Sequence, residues 1–460
     1  MQPAARSANP DVDESKLSSA HQKSKISGDD ASTAGASTAS DEVVRKSKIF
    51  VMTRELALSN HAQRVLGAER AEGFRGSSDL ESDVSKTNKL NIHLNKPTVM
   101  YDFVVVGVGP AGARFARRAA ESGYDVLGLE KGTIGDPLAC SGHVSTDIWG
   151  YLPDNAKNDL LQNRVYGANF YTGGPDSDAN LFYKREEISN VIDRVELDRT
   201  LADCARGAGA EIRDGHTVTG VDERTDRVVL TVSPDGADDP IEIEARMIAG
   251  CDGPVSRVRQ AVELPEPAEK LHGVLAFTDE GDHGDHVDVH LTVPRFFAWR
   301  IPRGEAGVEY GLAAAPGADV NDRFEVLTEQ YDVETDHFCS GAIPIGPPET
   351  VTTDRVFLIG DAAAQTKPFT GGGIRYAMTA ADCAARHIQP DRPDSLGIYE
   401  SAWRETLASE IRLGHLIRRG YSLPEPVQRL GLRALSGEIG VHMDKPTSLF
   451  SKQHLKRVFS

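Results

Sequence analysis

Asp361 follows an apolar run, Val356 to Ile359, and Gly371, Gly372 and Gly373 come a short loop later, before a helix expected to begin near Ile374. A carboxylate leaving a strand end can accept bonds from a row of hydroxyls, and glycines let backbone N–H groups approach a planar ring. The helix N-terminus behind them carries partial positive charge, which favours an anion. This set suits the ribityl chain and isoalloxazine of a flavin, whose reduced form is anionic. Alone, it also fits a strand, loop and helix crossover with a glycine-rich turn.

Two further segments speak to the same cofactor. Gly107, Gly109 and Gly112 form G-x-G-x-x-G between the apolar run Tyr101 to Val106 and an Ala/Arg-rich helix, and a second strand, Asp125 to Leu129, ends at Glu130. Gly107 makes the turn, Gly109 admits a pyrophosphate, Gly112 packs the helix on the strand, and Glu130 is spaced to bond an adenosine ribose. That pattern fits NAD, FAD or close packing. In GCDGPVSRVR, Asp252, Gly253, Ser256 and Arg259 give D-G-x-x-S-x-x-R after the apolar Met247 to Ala249. It also fits an ordinary strand-to-helix turn with Ser256 in a local bond. The three together point to FAD.

Other reactive side chains are fewer. The cysteines at 140, 204, 251, 339 and 383 contain no C-x-x-C pair, which fits reduced thiols in a cytosol. Four are expected to be small buried hydrophobes, whereas Cys140 lies in a Gly-containing loop soon after Glu130, where the chain would pass the flavin. In GDHGDHVDVH, His283, His286 and His290 alternate with acids, but the run reads as an acidic turn leading into a strand, Val287 to Val293, and no metal site is expected. Phe296, Phe297 and Trp299 give an aromatic stretch that could line an apolar tunnel or pack a sheet face.

The expected fold class is α/β: a Rossmann-like FAD-binding domain, an antiparallel-sheet substrate domain and C-terminal helices. The cofactor domain is discontinuous, residues 100–165, 194–262 and 340–385. Residues 166–193 and 263–339 form the sheet, with strands near Tyr166 to Tyr171 and Lys270 to Ala315. Residues 386–460 are a helical region, in which Trp403, Leu407, Ile411 and Leu416 mark an apolar face.

Charge is unevenly spread. Residues 1–99 carry 14 Lys+Arg and 13 Asp+Glu, while residues 100–460 carry 37 and 56, with 8 Lys against 29 Arg. The first segment, rich in Ser, Ala, Thr, Asp and Gly between Ser27 and Asp41, is expected to be a disordered leader or an upstream extension of a chain that starts at Met100. The acidic, Lys-poor remainder is that of a halophile's cytoplasmic protein or of an acidic protein from a GC-rich genome, and nucleic acid is excluded as a partner. No apolar stretch is long enough to span a bilayer.

The segments LACSGHVS, VIDRVELDRTLADCARGAGAEI, PRFFAWRIPRG, GCDGPVSRVR and IPIGPPETVTTDRVFLIGDAAAQTKPFTGGGI together resemble the geranylgeranyl reductase family of p-hydroxybenzoate hydroxylase-like flavoproteins. The resemblance runs from Tyr101 to about Ile388. It implies a cysteine loop at Cys140 and Gly142, an FAD-reaching arginine at Arg194, and flavin contacts at Asp361, Gly373 and Ile374. Ala111, Lys131, Ser141, Val218 and Asp252 are further cofactor positions on the same basis. The family's P-x-x-Y-x-W-x-F-P cavity pattern is read here at Pro294, Phe297, Trp299, Ile301 and Pro302, with Phe297 for the usual Tyr and Ile301 for the usual Phe.

The implied reaction is saturation of an isolated C=C in a prenyl lipid of archaeal ether-lipid type, or of a prenylated quinone, by hydride from flavin N5 and a proton. Phe297 and Trp299 would contact substrate, and Cys140 would position the proton as the catalytic residue. The electron donor is left open between ferredoxin, NADPH and another reduced carrier. Peripheral contact with the inner face of the membrane is expected, with the Arg-rich stretch Arg412 to Arg419 as a docking face or simply a solvated one. Two other functions stay open: an aromatic monooxygenase of the same fold, which lacks the LACSGHVS and PRFFAWRIP pair, and a non-catalytic flavin-containing lipid carrier.

Overall fold

A computed structural model describes residues 100–136, 140–438 and 445, so the expectations for residues 1–99 lie outside the described residues. The path begins with β1 (Met100–Val106), α1 (Pro110–Glu121), β2 (Val126–Leu129), β3 (His143–Ser145), α2 (Ala156–Leu160), β4 (Leu161–Val165), β5 (Gly167–Tyr171), β6 (Asn180–Tyr183) and β7 (Ser189–Ile192). It continues through α3 (Arg194–Gly207), β8 (Glu211–Arg213), β9 (His216–Glu223), β10 (Val228–Pro234), β11 (Ile241–Gly250), α4 (Arg257–Ala261), β12 (Glu269–Thr278), β13 (His286–His290), β14 (Ala298–Pro302) and β15 (Val308–Ala314). The remainder is α5 (Val320–Gln330), β16 (Asp336–Ile345), β17 (Val356–Leu358), α6 (Ile374–His387), α7 (Ser395–Gly420) and α8 (Glu425–Leu435).

Phe103, Val104 and Val105 are an unbroken apolar run because β1 is covered on both faces, as a central parallel strand must be. The first sheet has the order β8-β2-β1-β11-β10-β9, and β11 is long enough to pair antiparallel with β10 through Ile241 to Ala245 and parallel with β17 through Ile248 to Gly250. The edge it shares with β1 is parallel. Phe103, Phe115, Phe357 and Tyr399 make edge-on ring contacts between this sheet, α1 and α7. Each such side chain taken fully out of water contributes about 1.5–3 kcal/mol.

The second sheet runs β16-β12-β15-β14-β13-β5-β6. It departs from a purely antiparallel sheet at one place, since β13 and β5 pair in parallel. The chain arrives at β13 from the far side of the sheet, and no hairpin joins the two. β15 is buried throughout, and alternation divides it. Tyr310 and Leu312 face α5 with Phe324 and Leu327, while Ala313 belongs to a second cluster with Phe296, Phe297 and Ile345.

A small third sheet, β3-β7-β4, lies between these in the chain order. Strand membership does not follow the sequence-based segments everywhere. β7 pairs with β3 and β4, and β16 runs across position 340 within the second sheet. The strand expected over Val287 to Val293 ends at His290, before a turn in which Arg295 has φ 68°.

Two expectations about the C-terminal half need correction. Leu416 is 57% exposed, because it lies on the outer face of a turn whose Gly414 and Arg418 still pack on the body, while Trp403 and Leu407 are buried. Of the four cysteines expected inside, Cys251 and Cys383 are buried but Cys204 and Cys339 are only half-buried. Cys204 lies on the outer side of α3, and Cys339 lies on β16, the edge strand of the second sheet.

Candidate functional site

The turn from β1 to α1 is built for an anionic group. Gly107 has φ 91° and sits so close to Cys251 that a β-carbon would stand 2.5 Å from its carbonyl oxygen. Gly112 presses on the same turn, 1.9 Å from the Gly107 oxygen by the same measure. By contrast a β-carbon on Gly109 would meet nothing within 4 Å, and Gly109 begins α1 without any side-chain cap. The first N–H groups of α1 are therefore open on that side. Glu130, at the end of β2, accepts from the Val108 N–H at 2.8 Å and the Lys131 N–H at 3.1 Å, so it stands at the mouth of the turn. Ala111 lies buried in the first turn of α1, and Val218 is buried in β9 within the core of the first sheet.

The other expected cofactor residues gather from distant parts of the chain. Arg194 opens α3, a helix of 14 residues, just after its cap Asp193. Its guanidinium donates to Asp198 at 2.9 and 3.2 Å, its Nε has no partner among the described residues, and Cys140 lies near enough to act on it electrostatically. Burial alone would lower its pKa, but Asp198 and Cys140 outweigh burial and hold it above the ordinary arginine value. Asp361 is held in a one-turn 3-10 helix after β17, and burial pushes its carboxyl up to about 6 against the opposing pull of Arg194. Gly373 is the uncapped start of α6, so Ile374 occupies the first helical position as expected.

Asp252 is committed elsewhere. Its carboxylate accepts from Ser256 Oγ at 2.6 Å and from the Arg257 and Val258 N–H groups, so it caps α4. The fully buried Arg259 donates to the carbonyl of Ala362 at 2.9 Å. The D-G-x-x-S-x-x-R segment thus braces the turn that carries Asp361.

The Cys140 loop is fastened at Ser141 and Gly142. Gly142 has φ 68°, and its carbonyl accepts from the Ile192 N–H at 3.0 Å. A β-carbon there would lie 2.3 Å from the Ile192 oxygen. Ser141 Oγ accepts from the His143 N–H at 3.3 Å, and the Ser141 carbonyl accepts from Arg303 at 2.6 Å.

The aromatic stretch reaches the glycine loop. Phe296 and Phe297 stack at 4.5 Å, with Trp299 and Tyr421 edge-on to Phe297. A β-carbon on Gly371 would approach the Phe296 ring to 3.3 Å. The Trp299 indole lies over Gly311, where a β-carbon would be 2.5 Å from the ring, and donates to Glu309 at 2.8 Å. Glu309 also accepts from Arg303 at 3.1 Å. Neither Glu309 nor Arg303 was singled out from sequence, although an acid in the apolar run VEYGLAA was a legible signal.

The histidine run does not converge. His283 pairs with Glu305, His286 with Asp285, and His290 is buried against the Gly173 carbonyl and Tyr331. Among the described residues no group of three metal-ligating side chains occurs.

An uncapped helix start beside an open Gly109, a second at Gly373, a buried carboxylate and an arginine nitrogen without a partner suit FAD. Fold and site together define an FAD-binding oxidoreductase. The FAD binding domain family matches residues 100–293. The chain is 31% identical over 339 residues to the digeranylgeranylglycerophospholipid reductase of Methanothrix thermoacetophila, covering 67% of this chain and 84% of that one. The enzyme of the same name from Methanosarcina acetivorans is 26% identical over 358 residues, or 69% and 84% of the two chains. The chain belongs to the geranylgeranyl reductase family.

Solved structures agree on the fold. A geranylgeranyl bacteriochlorophyll reductase-like protein from Thermoplasma acidophilum superposes with TM-score 0.68 at 20% identity over 78% of this chain and 96% of that one. The p-nitrophenol 4-monooxygenase of Pseudomonas putida gives 0.57 at 16% identity, over 78% and 96%.

Proposed function

We propose that the protein saturates C=C bonds of geranylgeranyl chains in archaeal membrane ether lipids, with a prenylated quinone side chain as the alternative acceptor. The observation that carries this reading is the contact of the aromatic wall, through Phe296, with Gly371 of the flavin loop. An apolar chain lying along Phe297 and Trp299 would bring its double bond beside that loop. Bound FAD, once reduced, supplies the hydride. Gly107, Gly109 and the start of α1 would hold its pyrophosphate, Glu130 its ribose, and Asp361, Gly373 and Ile374 its ribityl and ring portions.

The chain's own groups then supply place and proton. Cys140, which acts electrostatically on the Arg194 guanidinium, would hold the proton donor against the alkene face. An unactivated alkene is a poor base, so a fixed donor contributes more than a strongly acidic one. The packed aromatic side chains exclude water from the reacting carbons. The test is anaerobic: protein with photoreduced FAD is mixed with digeranylgeranylglyceryl phosphate and the lipid weighed by mass spectrometry. Gain of about 2 mass units per reduced bond, with flavin reoxidation, supports the reading. Unchanged lipid, with reoxidation only by oxygen and an aromatic substrate, favours the monooxygenase.

We also infer that the protein meets its lipid at a membrane surface. No helix among the described residues is long and apolar enough to cross one. Leu416 on α7, Leu423 in the turn after it, and Val427 and Leu430 on α8 are exposed, as are Arg412 and Arg419 on α7. An anionic bilayer fits that combination. Arg418 is excluded from the docking set, because it donates inward to Glu269 at 2.8 Å and lies over Phe296. The acidic remainder of the body fits a concentrated-salt milieu, in which repulsion from such a surface is screened.

A further inference from the structure

Arg303 and Glu309 form a buried ion pair on the substrate side, 7% and 0% exposed. Arg303 makes three kinds of contact at once. It donates to Glu309 at 3.1 Å, to the Gln162 side chain at 2.6 Å and to the Ser141 carbonyl at 2.6 Å. Its own backbone is held in a tight turn, with the Arg303 N–H donating to the Gly307 carbonyl at 2.9 Å. Glu309 in turn receives the Trp299 indole N–H at 2.8 Å. One buried network thus joins the expected substrate wall to the residue next to Cys140.

Stability alone is a poor reason for this arrangement. Desolvating an arginine and a carboxylate costs several kcal/mol each, and well-packed apolar replacements are often as stable or more so. What an apolar pair cannot do is donate to a backbone carbonyl. The bond from a charged donor at 2.6 Å is short and directional, and it acts on a loop whose other fastenings are the Gly142 to Ile192 bond and the Ser141 to His143 bond. Those two tie the loop to β7 and β3 of the small third sheet. Among the contacts described for these three loop residues, Arg303 alone reaches it from the second sheet.

We propose that Arg303, oriented by Glu309, is a positioning residue that sets where the Cys140 thiol stands relative to the substrate wall, and that Trp299 shares the same anchor. This rests on the reductase reading for what Cys140 does, but not for where it stands. Burial pushes the Glu309 carboxyl up to about 6 against the pull of Arg303 and Trp299, so the pair is fully charged only above that value.

The test uses full-length FAD-bound protein and two readouts. Alkylation of Cys140 by iodoacetamide, followed on its own peptide by mass spectrometry, reports thiol placement without any substrate. Steady-state lipid reduction, with a chemical reductant resupplying reduced FAD, reports function. In the double variant Arg303→Met/Glu309→Leu, which leaves no buried charge unpaired, the Cys140 alkylation rate should change at least about fivefold and kcat fall about tenfold at little-altered KM. FAD content should stay native. Arg303→Lys, which keeps a cation able to reach the Ser141 carbonyl, should recover most of both.

Alkylation and kcat within about twofold of native in the folded double variant would overturn the proposal. If that variant does not fold, Glu309→Gln takes its place, since Gln can still accept from Trp299 but leaves Arg303 without its counter-charge. Native values there would overturn the proposal equally. Native protein that fails to reduce lipid, while alkylation still responds to the variants, would sink the reductase reading and leave the positioning role standing.

Discussion

Asp361 Oδ1 lies 2.6 Å from where a β-carbon on Gly373 would stand. The carboxylate and the start of α6 therefore share one small space, which only glycine leaves open. Gly373 has φ −114°, a conformation that alanine adopts freely. Gly373→Ala should thus leave the backbone unstrained and displace Asp361, weakening FAD binding about tenfold or more with little loss of melting temperature. Fluorescence titration of flavin into apoprotein measures the first and calorimetry the second. Gly112→Ala is the contrast, because its β-carbon would meet the Gly107 oxygen at 1.9 Å and should unfold the turn itself.

The buried Asp361 also makes flavin-free protein sensitive to pH. Its carboxyl is pushed up to about 6, above the ordinary carboxylate value, so the fold favours the neutral form. The sign follows by linkage: this contribution is present below the unfolded value of about 4 and is lost as pH rises through about 6. The melting-temperature difference between Asp361→Asn and native apoprotein should therefore grow in favour of Asn across that window. A difference that stays flat with pH would remove Asp361 from the account.

Arg194 and Asp198 are 6% and 5% exposed at their side chains and form an i,i+4 pair on α3. Arg194→Ala leaves a buried carboxylate without its partner and should cost about 3–5 kcal/mol in urea unfolding. Adding Asp198→Ala should return part of that stability. Neither variant should regain FAD affinity if the free Nε of Arg194 faces the cofactor, and full FAD occupancy in the double variant would exclude that role.

Phe297 stacks on Phe296 and touches Trp299 and Tyr421. Phe297→Ala opens space and should cost about 3–5 kcal/mol of stability, with a several-fold rise in KM for the lipid. Phe297→Tyr keeps the wall and adds a phenol. It should hold KM within about twofold of native, since no apolar area is removed. Steady-state lipid reduction with both variants separates a wall role from simple core filling.

Leu423 and Leu430 are 48% and 71% exposed. Replacing both with Ser should reduce flotation with anionic ether-lipid vesicles several-fold at moderate salt, and Arg412→Glu with Arg419→Glu should do the same. Retained flotation in both pairs would dismiss this face. Arg418→Glu belongs to neither pair, because it would set two acids together at Glu269 and test folding instead.

Much of the cofactor half was legible because its requirements are local. The turn at Gly107, the acid at Glu130, the Gly373 start of α6 and Asp361 after β17 depend on backbone geometry within a few residues, so composition and spacing reveal them. The aromatic stretch was equally visible. Its contact with Gly371 was not, since that depends on how the second sheet lies against a loop distant in sequence.

Asp252 shows the limit from the other side. Its motif was readable, but whether the carboxylate faced a ligand or its own helix was a matter of which N–H groups arrived first, and those of α4 did. The sequence by itself determined the cofactor class, the strand and helix order around it and the residues eligible for the site. Only the tertiary structure decided that Arg303 would reach Ser141, that Glu309 would hold both Arg303 and Trp299, and that Arg418 would turn inward. The Arg303–Ser141 and Arg418–Glu269 contacts join residues far apart in the chain, the Glu309 contacts cross from β14 or the residue after it to β15, and all are chosen by sheet register and burial, which no local pattern encodes.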